Sequence, residues 1–165
     1  MNTLKRFLLL LAFALPSFAA GAQEGLNIEK IFDDYGKQKG STLIELAKDV
    51  LGNHTKISRY KSLIIPVDSM ILNTTRVAIL NDFVKHSGNG VVLMESKKDG
   101  KIESATYSLG KIGNSSTYEY ILFTCKAQKM TLIYIKGNFP PEKLDSELQK
   151  LKDLFIKVNN KRIKL

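Results

Sequence analysis

Tryptophan is absent from this chain of 165 residues, cysteine occurs once, histidine twice and proline four times. With Cys125 alone, an intramolecular disulfide and a Cys-x-x-Cys metal or redox pair are both excluded. Cys125 sits in the strand-like run Tyr120–Lys126 and reads as a small buried hydrophobe. His54 and His86 lie in Gly/Asn/Ser/Thr surroundings without metal-ligand spacing, so they read as solvated loop residues. There is no Gly-x-Ser-x-Gly nucleophile elbow and no phosphate-cradling Gly-Lys-Ser/Thr loop. Gly88-Asn89-Gly90 precedes a strand instead of a helix and reads as a turn. The acidic neighbours Asp33-Asp34 and Glu142/Asp145 read as solvated helix faces, because acid–base chemistry needs two groups in one cleft. No cofactor is implied, and no catalytic or metal constellation is apparent.

What is present is an ordinary globular composition, 44% apolar and 25% charged, with a formal charge of +9. Lys5 and Arg6 precede an apolar run from Phe7 to Leu15, Pro16 ends it, and Ala20-Gly21-Ala22 supplies small residues. This is the order of a secretory signal peptide over residues 1–22, cleaved after Ala22. The run is too short for a comfortable membrane span. Residues 23–165 are then one exported domain, periplasmic or extracellular, with no transmembrane segment. Removing Lys5 and Arg6 leaves 23 basic against 16 acidic residues, or +7.

Helical spacing of Ile28, Ile31, Phe32 and Tyr35 predicts a first helix, with Asn27 as its cap. The stretch 43–51 reads either as a strand running into a short helix or as one helix. Ser62–Val67 reads as a strand with Pro66 at an edge or terminal position. Asp68 or Ser69 caps a helix to about Lys85, whose core stripe includes Val77, Leu80, Phe83 and Val84. Asp99-Gly100 is a hairpin signal joining Val91–Lys97 to Ile102–Leu109. Register then sets Lys98 opposite Lys101 and Val92 opposite Tyr107, with Val92, Met94, Ala105 and Tyr107 on one face. A second hairpin, Tyr118–Lys126 and Met130–Lys136, turns at Ala127-Gln128. After Pro141, the stripe Leu144, Leu148, Leu151, Leu154 and Phe155 predicts a last helix, followed by a basic tail. The expected fold is α+β: two layers, a mainly antiparallel sheet built from hairpins, and helices packed on one face.

Two surfaces suggest binding. In the second hairpin Tyr120, Leu122, Ile133 and Ile135 make an apolar back face behind an apolar front face, which a one-sided sheet does not have. Either the chain's own N-terminal segment or tail covers it, or it meets an unknown protein partner or forms a homodimer. Arg59, Lys61, Lys97, Lys98 and Lys101 are candidate contacts for an anionic envelope glycan or lipopolysaccharide. Solubility and strand-edge protection are the plainer reading of these charges. An exported protein is no candidate for nucleic acid. Asp68-Ser69-Met70 matches a short O-glycosylation acceptor pattern at Ser69, and a helix cap accounts for it equally well.

Further segments carry a resemblance. These are Ile28-x-x-Ile31-Phe32-x-x-Tyr35-Gly36, Ile57–Leu63, Val92–Ser96 with its Asp99-Gly100 turn, and Ile133–Gly137. With the leader, they resemble small exported proteins of unknown function from Bacteroides-type bacteria. The resemblance implies an exported α+β domain and assigns no catalytic residue. The resulting expectation is a non-enzymatic protein-binding module of the cell envelope, with the anion-binding surface as the alternative.

Overall fold

The computed structural model describes residues 25–86 and 88–162, with side chains as far as residue 154. The leader, and the side chains from Phe155 on, those of the basic tail among them, lie outside what is so described. In chain order the elements are α1 (Asn27–Tyr35), β1 (Thr42–Ala47), α2 (Lys48–Leu51), β2 (Ile57–Pro66) and α3 (Ser69–Lys85). Then come β3 (Val91–Lys98), β4 (Lys101–Lys111), β5 (Tyr118–Lys126), β6 (Lys129–Gly137), a 3₁₀ turn at Pro141–Lys143 and α4 (Leu144–Arg162). The six strands form one antiparallel sheet in the order β1-β2-β6-β5-β4-β3. The α+β class and the hairpin-built antiparallel sheet are those the sequence predicts. Pro66 ends β2, a strand flanked on both sides, so its missing N–H is tolerated by terminal position.

The two hairpin turns set the registers. Asp99 and Gly100 have φ of 50° and 72°, and Ala127 and Gln128 have φ of 49° and 60°. Both central residues at positive φ is the type I′ pattern, whose twist matches that of the strands. Lys98 pairs with Lys101 and Cys125 with Met130, as expected. In the first hairpin two irregularities, at Leu93 and Glu103, cancel so that Val92 still meets Tyr107. Between them the facing shifts by one. Met94 therefore lies opposite Thr106, and Glu95 takes the place expected of Met94, opposite Ala105.

Helices cover both faces of the sheet, not one. α1 and α3 pack on the face that carries Ile121, Phe123, Leu132 and Tyr134. α4 packs on the opposite face with Tyr120, Ile135, Phe139 and Leu51. The physical reason is the double apolar character of the β5–β6 hairpin, which leaves two sheet faces to be removed from water. Stretch 43–51 resolves into strand followed by a single helical turn, since Leu43 and Leu46 face opposite sides of the sheet.

α3 is rotated away from the expected stripe. Its buried residues are Ile71, Thr75, Ala78, Ile79 and Asp82, while Val77, Leu80 and Val84 are exposed. Small Thr75 and Ala78 let the helix approach closely. Asp82, fully buried, reaches the start of α1. Its Oδ1 accepts from the Asn27 backbone N–H at 2.7 Å and its Oδ2 from that of Ile28 at 2.9 Å. Asn27 is thus the first residue of α1 and not its cap; it adds a side-chain bond to Asp82 at 2.6 Å. The local cap expected on α3 is in place, with Asp68 Oδ1 accepting from the N–H of Met70 and Ile71.

Candidate functional site

Three regions gather chemistry or exposed apolar surface. The first is a polar cleft of about 190 Å³ between α1 and the β2–β6–β5 part of the sheet, beside His86 at the end of α3. Antiparallel register places Arg59, Lys136 and Glu119 side by side on neighbouring strands, with Lys61 and Tyr134 in the next row but one. Above them lies Glu29 of α1. Arg59 Nη1 stands 3.3 Å from Glu29 Oε1, and its guanidinium lies over the Tyr134 ring at 5.7 Å. Tyr134 donates to Glu119 Oε1 at 2.6 Å. Burial, and then this bond to a carboxylate, push the Tyr134 phenol well above its usual range.

Lys61 is only 4% exposed. Its ammonium lies 2.7 Å from Glu45, 3.1 Å from Glu29 and 3.9 Å from Asp33, and 4.9 Å from the Phe32 ring centre. Burial acts to lower its pKa, but the hydrogen bonds to Glu45 and Glu29 outweigh this and raise it. His86 Nδ1 is 2.7 Å from the Asp82 carbonyl oxygen, which only accepts, so the imidazole proton sits on Nδ1. The cleft is therefore a set of charges and dipoles that answer one another, an arrangement that seats α1 on the sheet.

This geometry corrects the expected anion contacts. Lys61 is enclosed by carboxylates and faces no solvent anion. Arg59 is held by Glu29. Lys97 is 2.7 Å from Glu95, which also accepts a hydrogen bond from the Tyr107 hydroxyl. Those two contacts, Lys97 first, hold the Glu95 carboxyl below its usual range. Lys98 and Lys101 are exposed at the β3–β4 tip. Arg59 and Lys61 lie on β2, four strands away from β3, so the five residues do not form one patch.

The expected partner surface is corrected as well. Tyr120 and Ile135 are fully buried, and Leu122 and Ile133 partly so, against Leu144, Leu148, Leu151 and Leu154 of α4. Tyr120 further donates to the Phe139 carbonyl at 2.6 Å, with the two rings stacked 5.2 Å apart. The chain itself covers this face because α4 is amphipathic and the Gly137–Pro141 connection turns it back over the hairpin.

The exposed apolar surface lies elsewhere, on α3 and on the edge strand β3. Met70, Val77 and Val84 are 69%, 57% and 66% exposed, and Leu80 is 41% exposed. The other exposed residues between Ser69 and Val84 are Asn73, Thr74 and Asn81, all uncharged; Arg76 at the edge of this face is half-buried, with its Nε donating to the Ile102 carbonyl at 2.8 Å. A solvated helix face is normally charged. In β3 all eight residues are exposed, and Val91, Val92, Leu93 and Met94 form a consecutive apolar run. Val92 stands opposite Tyr107, whose ring is 4.8 Å from that of Phe83 on the inner side of α3. Ser69 is exposed in the first turn of α3, next to Asp68, which is engaged as the cap.

Sequence periodicity missed this surface because apolar residues recur all round α3, which offers no preferred side. The seven-residue spacing of Met70, Val77 and Val84, together with the missing charges, was the available signal. Cys125 is partly buried at a groove shared with Arg76, Lys98 and Lys101. Among the described residues, no three of His, Cys, Asp and Glu are placed to hold a metal ion, and no helix is long and apolar enough to cross a membrane.

Residues 15–148 match a family described as "Family of unknown function (DUF6108)", a match that takes in all six strands and ends inside α4. No curated protein matches the chain.

Proposed function

The chain belongs to this family of unknown function, and we propose that it is an exported, non-enzymatic module that binds protein through the outer face of α3. Export rests on the leader, removed after Ala22, and on the resemblance to small exported proteins of Bacteroides-type bacteria. The observation that carries the binding role is the uncharged outer face of α3, with four apolar side chains in water, in a chain of which 25% is charged. Contiguous exposed apolar surface of this kind marks interaction sites. The charged rim is present too: Lys30 and Asp34 of α1 border the groove that Thr74, Val77 and Asn81 line on α3. An uncharged centre inside a polar rim is the usual anatomy of a protein interface. A binding role in preference to catalysis is supported by the polar cleft, where Arg59, Lys61 and Tyr134 each face a carboxylate of the same chain.

The test is retention of protein from an envelope extract on immobilised mature protein at high salt. A discrete partner, which is the chain itself or another protein, is expected to be retained by the wild type and lost by Leu80→Lys. Both proteins should have the same far-UV circular dichroism, since Leu80 is exposed. Equal retention by wild type and variant overturns the assignment of this face.

A further inference from the structure

We infer that the groove between α3 and the β3–β4 turn is a second binding site, independent of the outer face of α3, and that it takes a phosphorylated sugar. The groove encloses about 410 Å³, within the range of small-molecule sites. α3 lines it with Leu72 and Arg76, one helical turn apart, and the turn lines it with Lys98, Asp99 and Lys101. Glu103 of β4 is the remaining charged residue there. These cations differ from others on the molecule. Arg59, Lys61, Lys97 and Lys150 each stand within 3.3 Å of a carboxylate oxygen. Among the described residues, Arg76, Lys98 and Lys101 form no such pair. The register adds to the imbalance: Lys98 pairs with Lys101, and like charges directly opposite one another destabilise a strand pair. An anion held beside them removes that repulsion.

Arg76 indicates which anion. Its Nε donates to the Ile102 carbonyl at 2.8 Å, which fixes the planar group and leaves both Nη amino groups for a ligand. Such a fork of N–H donors matches the oxygens of a phosphate, and lysine adds point charge to it. A phosphate monoester, with nearly two charges and three acceptor oxygens, answers three cations more fully than a carboxylate does. Bare phosphate would leave Asp99 and Glu103 unused. A carboxylate only accepts hydrogen bonds, so beside a bound anion these two call for hydroxyl donors on the same molecule. Phosphate at one end and hydroxyls at the other is the chemistry of a sugar phosphate, free or as the headgroup of a glycolipid. Half-buried Leu72 offers apolar surface to the C–H face of the sugar ring.

Amide NMR titrations of the mature protein at low salt test this, with glucose phosphate (esterified at the primary hydroxyl), glucose and inorganic phosphate as probes. Shifts should cluster at Arg76 and at residues 98–103. Glucose phosphate should bind about tenfold more tightly than inorganic phosphate, the worth of one added hydrogen bond to a charged group. Glucose alone should not bind, and added salt should weaken the binding of both phosphates steeply. Lys98→Gln combined with Lys101→Gln should weaken both phosphates by about tenfold or more. Asp99→Asn combined with Glu103→Gln should instead remove the preference for glucose phosphate and leave inorganic phosphate bound. All four residues are exposed or half-buried, and circular dichroism confirms that the fold is kept. Phosphatidylcholine vesicles carrying lipid A, set against phosphatidylcholine alone, distinguish the two sources. Displacement of glucose phosphate by the lipid A vesicles assigns the site to a lipid headgroup, and no displacement assigns it to the free sugar phosphate. Absent shifts at these residues, or shifts that the double lysine substitution leaves unchanged, overturn the site. Equal affinity for glucose phosphate and inorganic phosphate overturns the sugar, and tighter binding of a polyglutamate peptide overturns the proposal in favour of an acidic protein contact. Retention of protein by the α3 face is read at high salt, where this groove is silent, so each reading fails separately.

Discussion

At Asp82 one carboxylate does the work that a local cap does in most helices. It is fully buried and accepts the first two backbone N–H groups of α1, across 54 residues of chain. Asp82→Ala leaves those donors without partners in the interior, where each costs about 1–3 kcal/mol. A loss of about 2–4 kcal/mol is expected in urea unfolding, with Asp82→Asn recovering part of it. Thr75 is the opposite case: its hydroxyl is buried without a hydrogen-bond partner. Thr75→Val should leave stability unchanged or raise it by about 1 kcal/mol, because it removes an unmet polar group at constant volume.

Glu147 gives a pH dependence. Burial acts to raise its pKa, but Lys150, the Lys56 N–H and the Thr55 hydroxyl bind the carboxylate and lower it overall. A folded-state pKa below the unfolded value means stability present above the unfolded pKa and lost as pH falls through the folded one. Urea midpoints should therefore fall from about pH 5 downward, and less steeply in Glu147→Gln.

Among the elements, the β5–β6 hairpin organises the molecule, since it meets helices on both sides. Its turn residues Ala127 and Gln128 both stand at positive φ, where neither is favoured. Replacing them with Asn-Gly should raise stability by about 0.5–1 kcal/mol in thermal or urea unfolding, without changing register. Gly110 marks a second constraint. At φ 87° its absent Cβ would stand 2.6 Å from the Asn89 backbone oxygen, so the loop after α3 packs directly on β4. α4 was legible from its leucines alone, yet which face of the sheet it covers was not. The doubly apolar hairpin asked for a cover on each side, and only the path of the chain after Gly137 shows which segment supplies it. α3 was legible in its limits and its Asp68 cap, but not in its rotation. Its buried side is chosen by Asp82 and the small residues Thr75 and Ala78, which do not stand out in a hydrophobic pattern.

For the molecule as a whole, net charge and the uncharged α3 face act in opposite senses. The chain carries a formal charge of +9, while the residues exposed on the outer face of α3 carry none. Added salt should therefore leave binding at this face intact or strengthen it modestly, as retention at low and high ionic strength would show. Capture of a polyanion by lysines would weaken steeply with salt. Arg59 and Lys61 are held by the chain's own carboxylates and lie far across the sheet from the lysines of the β3–β4 tip.

The sequence by itself determined the α+β class, both hairpins with their turn positions, the limits of α1, α3 and the start of the last helix, and the lack of a recognisable catalytic motif. These depend on local periodicity, turn chemistry and composition, which act over a few residues. Tertiary structure alone decided that helices cover both sheet faces, that Lys61 is enclosed, that Asp82 caps a distant helix, and that Val77, Leu80 and Val84 face water. Each of these depends on which surfaces meet, a matter of packing between segments dozens of residues apart. An apolar side chain has the same periodic signature whether its partner belongs to its own chain or to another.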